Sequence, residues 1–554
     1  MGRYIRWQAI LALTGIALVL AFLGFLSLSR TTIAVRDQSS RYVEGVVGEP
    51  QFINPLLMQY NQVDQDLSAL LFNGLVKVDG QGNIEPDLAR SWEISPDKRR
   101  YIFKLRRDVR WHDGEPFTAD DVVFTISLMK DPEFPGMPYL SNLWQAISVG
   151  KQDDYTVFFD LLEPFPTFVE FTEIGIVPQH LLSDVPVRDL LNHPFNLRPV
   201  GTGAFRLDAV NSEFARLSPN PFYFGPKPQL AGIELRFFPS HKTAVAAYAN
   251  EQINGLGQIP SSLLPEVQDL TTLNLYTAYL SSYNIIYLNL LEAEDLPFFQ
   301  EADVRRALLH ALDRQTIINQ ALHGQGLIAK GPILPWSWAY NAQQPPVNYD
   351  PTAAIGLLND AGWLDTDGDG IRDKDGVPLA FTLLSSSDTT KRQVAETARQ
   401  QWQQVGVAVE IEILDSGLSE RLANHDFQAA LAEVLLGGDP DPYPLWHATQ
   451  IEGGQNYAGW DNTDASVQLE IGRSLENRGQ RNDYYFAFQQ IFANEVPSLV
   501  LFHPTYIYGV SQDILGVQLM PLSNPSDRFR TVSDWYILTE ETIFRESQFN
   551  QTAP

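Results

Sequence analysis

The 554-residue chain contains no cysteine. That single absence removes disulfides, thiolate metal sites and cysteine nucleophiles together. Basic residues are also scarce: 39 Lys and Arg stand against 67 Asp and Glu, a formal net charge of −28. Four of those cations (Arg3, Arg6, Arg30 and Arg36) fall in the first forty residues, against one acid, Asp37. The remainder therefore carries about −31. Nucleic acid is excluded as a partner, because phosphate binding needs a basic surface. Broad contact with anionic lipid is disfavoured for the same reason. Signatures of catalysis are missing too. There is no HExxH, no GxSxG and no phosphate-cradling glycine loop with lysine. The nine histidines show no metal-ligand spacing. No enzyme is expected. Short-period repeats and low-complexity tracts are absent as well.

One long apolar run is present. Arg3 and Arg6 precede an apolar stretch at 7–28 that ends before Arg30. At 1.5 Å per residue it spans about 33 Å, enough for a bilayer core. It reads as an uncleaved transmembrane anchor at 1–30, or as an export signal cleaved near Ser27-Leu28-Ser29. Either places the acidic bulk outside the cytoplasm, because the charged N-terminus stays inside. Residues 31–40 read as a polar linker.

Beyond the linker, 44% hydrophobic and 11% aromatic content describe a folded chain. It is too long for one hydrophobic core, so two or three domains are expected. Strands and helices alternate, which predicts mixed α/β. The block 86–128 shows the local grammar. Tyr101-Ile102-Phe103-Lys104-Leu105 is a strand, Val109-Arg110-Trp111-His112 a short second one, and Asp113-Gly114 a turn. Thr118-Ala119-Asp120-Asp121 then opens a helix with the spacing of a capping box. Further helices are predicted over 303–320, 351–361, 389–405 and 483–493. Asn284-Ile285-Ile286-Tyr287-Leu288-Asn289-Leu290 reads as a crossover strand between domains.

These segments resemble, in order, the hallmarks of family 5 of the solute-binding proteins, the dipeptide, oligopeptide and nickel type of ABC importers. Besides 86–128, the resemblance is carried by Glu49-Pro50-Gln51-Phe52-Ile53-Asn54-Pro55, Leu71-Phe72-Asn73-Gly74-Leu75 and Pro199-Val200-Gly201-Thr202-Gly203-Ala204-Phe205. Three more segments follow: Pro221 to Pro228, the stretch from Asp303 to Arg314, and Gly437-Gly438-Asp439-Pro440-Asp441-Pro442-Tyr443. The resemblance implies a two-lobe periplasmic-binding-protein-like α/β fold (type II, cluster C-like) with an inserted third subdomain. Lobe 1 would comprise 41–84, 199–290 and a return and tail at 505–554. The insert would be 85–198 and lobe 2 would be 291–504. It implies an extracytoplasmic or periplasmic, membrane-anchored, monomeric receptor that captures a peptide or similar polar solute and hands it to ABC permease subunits. A surface sensory receptor of the same fold, binding an oligosaccharide without transport, is the alternative. With no cysteine, the lipid-anchoring cysteine that many Gram-positive members carry is missing.

Candidate site residues follow. In peptide-binding members, an Asp of the 437–443 loop pairs with the ligand's α-amino group; Asp439 matches that role and Asp441 is second. Such members often carry a Trp shortly before this Asp, where this chain has Leu435-Leu436. Among the aromatics Trp336, Trp338, Tyr340, Trp446, Tyr457 and Trp460, Trp446 and Trp336 lie nearest proline-rich loops, and Tyr457 joins them as a ligand contact. No cofactor is expected apart from a structural calcium ion. Asp365, Asp367, Asp369 and Asp373, with Gly370 between the last two, have the spacing of an EF-hand-like loop, although Gly376 stands where a bidentate Glu belongs. The same residues also suit a metal-free turn.

Overall fold

A computed structural model describes residues 14–20, 30–37, 41–58, 61–79, 82–165, 167–291, 296–475 and 477–544. Its spine is the 14-residue strand Ser498–Ser511, buried over almost its whole length. A sequence so rich in Val, Leu, Phe, Ile and Tyr suits a strand covered on both faces. Its first half pairs with Ser282–Leu288 and Gly326–Ile328; its second half pairs with Leu273–Tyr279 and Gly255–Leu256. One strand therefore belongs to two lobes. The main sheet runs continuously through it, from Ala408–Leu414 at one edge to Phe205–Val210 at the other.

The chain crosses between lobes just before Ser282. Ser281 N–H donates to Leu522 O (2.7 Å), and Leu522 N–H donates to Tyr279 O (2.9 Å). Ser282–Leu288 itself pairs within the second lobe, between Ala429–Leu435 and Ser498–Ser511, so the boundary expected at 290 falls instead just before Ser282. Its alternation shows on both faces. Ile286 and Leu288 join one core with Trp363 and Trp402; Tyr283, Ile285 and Tyr287 join another with Trp446 and Phe488.

The segment at 85–198 builds a four-stranded antiparallel sheet, ordered Ala89–Ile94, Arg100–Leu105, Thr156–Leu161, Ile147–Asp153. It has no core of its own. Trp111, Trp144 and Phe159 belong to the same hydrophobic cluster as Tyr42, Leu67 and Tyr508 of the first lobe. Within it, the turn at Asp113-Gly114 places Gly114 at φ 95°, and the Thr118–Asp121 capping box starts the helix Ala119–Lys130. The Gly201-Thr202-Gly203 segment is explained by close approach: a Cβ on Gly201 would sit 1.9 Å from Leu71 O. Only glycine fits against that backbone.

Three sequence expectations meet a different local structure. Val109-Arg110-Trp111-His112, read as a short strand, holds only an isolated bridge, Arg110 to Pro116. The helix predicted over 303–320 is two helices, Ala302–His310 and Arg314–Leu322, because the Asp313 carboxylate accepts the Thr316 N–H and caps the second. In the segment read as a linker, Arg30–Asp37 is a strand, paired antiparallel with Tyr536–Phe544. The anchor expected at 1–30 lies largely outside the described residues, of which 14–20 are helical. No helix among the described residues is long and apolar enough to cross a membrane.

Candidate functional site

The loop at 437–442 leaves the second lobe's sheet after Ala429–Leu435 and meets the first lobe face to face. A Cβ on Gly438 would lie 3.2 Å from Val78 Cγ1 and 3.4 Å from Glu170 Oε2; one on Gly82 would lie 3.0 Å from Gly438 O. Small residues at these positions let the two backbones touch. Hydrogen bonds cross the same boundary. The Asp439 N–H donates to Glu170 Oε2 (2.9 Å), and Arg478 donates to Asn83 Oδ1 (2.8 Å) and Gly82 O (2.9 Å). The lobes are closed on each other.

Between them lies a cavity of about 190 Å³, lined among others by Asp439, Asp441, Trp336, Trp338, Leu435 and Gly82. Leu435 is 76% exposed, toward this space. Trp336 stacks on Tyr279 of the crossing segment, centroids 5.0 Å apart and rings 12° from parallel, and meets His503 edge-on.

Both loop carboxylates are engaged from within the protein. Arg481 grips Asp439 through two bonds, Nη1 to Oδ2 at 2.7 Å and Nη2 to Oδ1 at 2.6 Å; the two side chains are 6% and 12% exposed. The Arg481 guanidinium also donates to Tyr485 Oη (2.8 Å) and lies over the Trp338 ring at 4.9 Å. Burial opposes its charge, but Asp439 outweighs burial and holds its pKa above the usual arginine value. Asp441 faces Arg473 at 3.3 Å and accepts the Tyr443 N–H. Burial raises its carboxyl above the ordinary value, against the pull of Arg473. The role expected of Asp439, receiving an α-ammonium, meets a carboxylate whose two oxygens already face Arg481.

Glu170 is the odd member. Burial first, then the Asp439 charge, push its carboxyl up to about 8, and no Lys or Arg among the described residues forms a salt bridge with it. Glu173, one turn on, accepts the Val78 N–H (3.0 Å) and is solvent-exposed.

Of the expected aromatics, Trp336 and Trp338 line the cavity. Trp446 does not. It is 1% exposed and packs on Tyr287, Trp460 and Phe492, because the one-turn helix Tyr443–Trp446 turns it inward. Tyr457 packs edge-on against Tyr287, outside the cavity lining. His447 is buried between Thr449 (2.8 Å) and Glu470 (3.1 Å), a structural pairing.

The aspartates of the Asp365 loop are exposed, and none of them lines the cavity. Carboxylate oxygens of Asp365, Asp367 and Asp369 lie within 4.8 Å of one another. Asp373 is turned away from them, accepting the Thr366 N–H and Oγ1–H. The others also close turns: Asp365 accepts from Gly368 and Gly370, and Asp369 from Ile371.

Glu170 and Arg481 were not legible as site residues in the sequence. Glu170 is 269 positions from Asp439, and nothing local to either marks the contact.

Comparison with known proteins gives a consistent picture. The family model for bacterial extracellular solute-binding proteins, family 5 (middle region), matches residues 83–456. The chain is similar to the oligopeptide-binding protein AppA of Bacillus subtilis (strain 168), 31% identical over 495 residues, 88% of this chain and 90% of that one. It is also similar to the dipeptide-binding protein of Escherichia coli (strain K12), 27% identical, covering 90% of this chain and 95% of that one. Among solved structures, AppA from Bacillus subtilis in complex with a nonapeptide aligns with a TM-score of 0.72 at 29% identity, over 91% of this chain and all of that one. NikZ from Campylobacter jejuni, in complex with nickel and L-histidine, aligns with a TM-score of 0.72 at 26% identity, over 90% of this chain and 99% of that one.

Proposed function

The chain belongs to the bacterial extracellular solute-binding proteins of family 5, and from that premise we propose that it captures a peptide or similar polar solute between its lobes and delivers it to an ABC permease. It acts as a monomer outside the cytoplasm, exported by the 7–28 segment, which either stays as an anchor or is cleaved. N-terminal sequencing of the membrane-associated and released protein separates those two outcomes. Capture needs no chemistry. The open form admits solute, the lobes rotate about the crossing at 279–282 and 503–505, and closure excludes water. Only a ligand that binds the closed form more tightly can drive that motion.

The observation that carries this reading is the cavity between two lobes that share one strand. Its volume, about 190 Å³, lies below the roughly 300–1,000 Å³ usual for drug-sized ligands. The closed form therefore takes a short peptide or one segment of a longer one. Trp336 supplies its aromatic wall. In a thermal-shift screen of short peptides followed by calorimetry, Trp336→Ala is expected to weaken binding about tenfold, some 1.4 kcal/mol, with little change in Tm. Unchanged affinity would remove this cavity as the site.

For the Asp365 loop we propose a structural calcium ion, supported by the convergence of three carboxylates. Calcium at millimolar concentration should raise Tm by mass action, and Asp365→Asn should abolish the rise. Equal Tm with calcium and with chelator ends the proposal.

A further inference from the structure

The charge pattern around the cavity narrows the ligand class. The second lobe's loop presents two carboxylates, Asp439 and Asp441, and two guanidiniums answer them, Arg481 at 2.6 Å and Arg473 at 3.3 Å. The Asp439 pair is bidentate and nearly enclosed, so its charge is cancelled at short range in a medium that screens poorly. Glu170, the third carboxylate, lies behind Gly438 rather than along the cavity and takes the Asp439 N–H. On the opposite wall, Asp79 accepts both the N–H and the side-chain amide of Asn83, each at 2.8 Å, closing its own turn. What the loop offers a ligand is thus backbone, proline rings and the apolar surfaces of Leu435 and Leu436.

An incoming ammonium would have to take Asp439 from Arg481. That would leave the guanidinium charged and buried over Trp338, with its Nε already lacking a hydrogen-bond partner. Exchanging one cation for another at that cost yields little. We infer that the ligand group seated against the 437–442 loop is uncharged, so that the site accepts peptides with a blocked N-terminus, and solutes bearing no ammonium, as readily as free peptides. This rests on the cleft being the ligand site. Arg481 is then a specificity residue: it keeps Asp439 from selecting for amines.

The test uses matched tripeptide pools, free and N-acetylated, titrated into the full-length protein. The two pools are expected to bind within about threefold of each other. Loss of about thirtyfold or more on acetylation would overturn the inference. In Arg481→Met the Asp439 carboxylate is released, and the preference should swing about tenfold or more toward free peptides. Should that variant fail to fold, the neutral pair Asp439→Asn with Arg481→Gln serves instead. It should bind acetylated peptides as the native protein does, whereas its failure to bind them, when folded, counts against the inference. If neither pool binds the native protein, the peptide reading fails. The inference is then decided by chitosan against chitin oligosaccharides, which differ in the same amine and acetamide: comparable binding upholds it, and binding confined to the amine form overturns it.

Discussion

Arg528→Met is expected to cost about 3–5 kcal/mol, enough to unfold the first lobe or leave it marginal. Arg528 is 1% exposed and sits between two equally buried carboxylates, Glu44 and Asp66. All five of its N–H bonds have acceptors. Nε and Nη2 donate to Glu44, Nη1 and Nη2 to Asp66, and the remaining Nη1 proton to Pro525 O. Glu44 is completed by the hydroxyls of Tyr42 (2.6 Å) and Tyr508 (2.7 Å), and Asp66 by Ser526 and Gln62. The network ties the first strand of the lobe, the helix Gln62–Leu71, the shared strand and the C-terminal return into one unit. Removing the guanidinium leaves two acids without a counter-charge where water cannot reach. Lysine should not rescue, because a point charge cannot reproduce the fork. Replacing all three, Glu44→Gln with Asp66→Asn and Arg528→Met, should recover much of the loss, since the penalty lies in unpaired charge rather than in a missing attraction. Urea unfolding followed by far-UV circular dichroism reads the loss. A loss below about 1 kcal/mol in Arg528→Met would mean that water or a rearranged partner satisfies the acids.

This network was invisible in the sequence for the same reason as the cleft contacts. Glu44 and Arg528 are 484 positions apart, and each looks like any other charge in a chain of 106. Local grammar, by contrast, was legible. The capping box at Thr118, the turn at Gly114 and the helix Thr389–Gln403 all depend on residues within one or two turns of each other. Asp313 shows the margin. It sits three positions before Thr316, the spacing of an N-cap, yet the apolar period runs through it, and period alone predicts one helix where there are two. Trp446 shows the limit. Proximity to a proline-rich loop suggested a ligand contact, but a one-turn helix can point an aromatic to either side, and here packing against Phe492 and Trp460 wins. The family segments pointed to the Asp439 loop, which lines the cavity between the lobes. They carried no sign of Arg481, which holds the Asp439 carboxylate through two bonds.

The second large effect concerns pH. Ligand affinity is expected to fall as pH rises from about 5 to 8, by up to about tenfold per unit, and Glu170→Gln should flatten the dependence. Glu170 lies half-buried at the boundary between the lobes, where its carboxylate accepts the Asp439 N–H; opening the cleft would return it to water. In the closed form its carboxyl is raised to about 8 from an ordinary 4.5, first by burial and then by the Asp439 charge, with Glu173 adding repulsion and Arg481 opposing it. The closed form therefore binds a proton more tightly than the open one. Below the open-form value both are protonated and closure is pH-independent. Between the two values closure takes up a proton, so raising the pH weakens it. Above about 8 both forms are ionised and the dependence ends. Glu173 does not share this role. Its facing groups are Val78, Asp87, Asp527 and Arg530, all of the first lobe, and the residue is exposed in the closed form, so closure changes its surroundings little. Glutamine at 170 keeps an acceptor for the Asp439 N–H and removes the titration. Calorimetry at pH 5.5, 6.5 and 7.5 should thus show a slope in the native protein and little in Glu170→Gln. Equal slopes in both would place the titrating group elsewhere. A flat native profile would mean that Glu170 keeps its water on closure. A receptor whose closure takes up this proton would bind more tightly in acidic than in neutral surroundings.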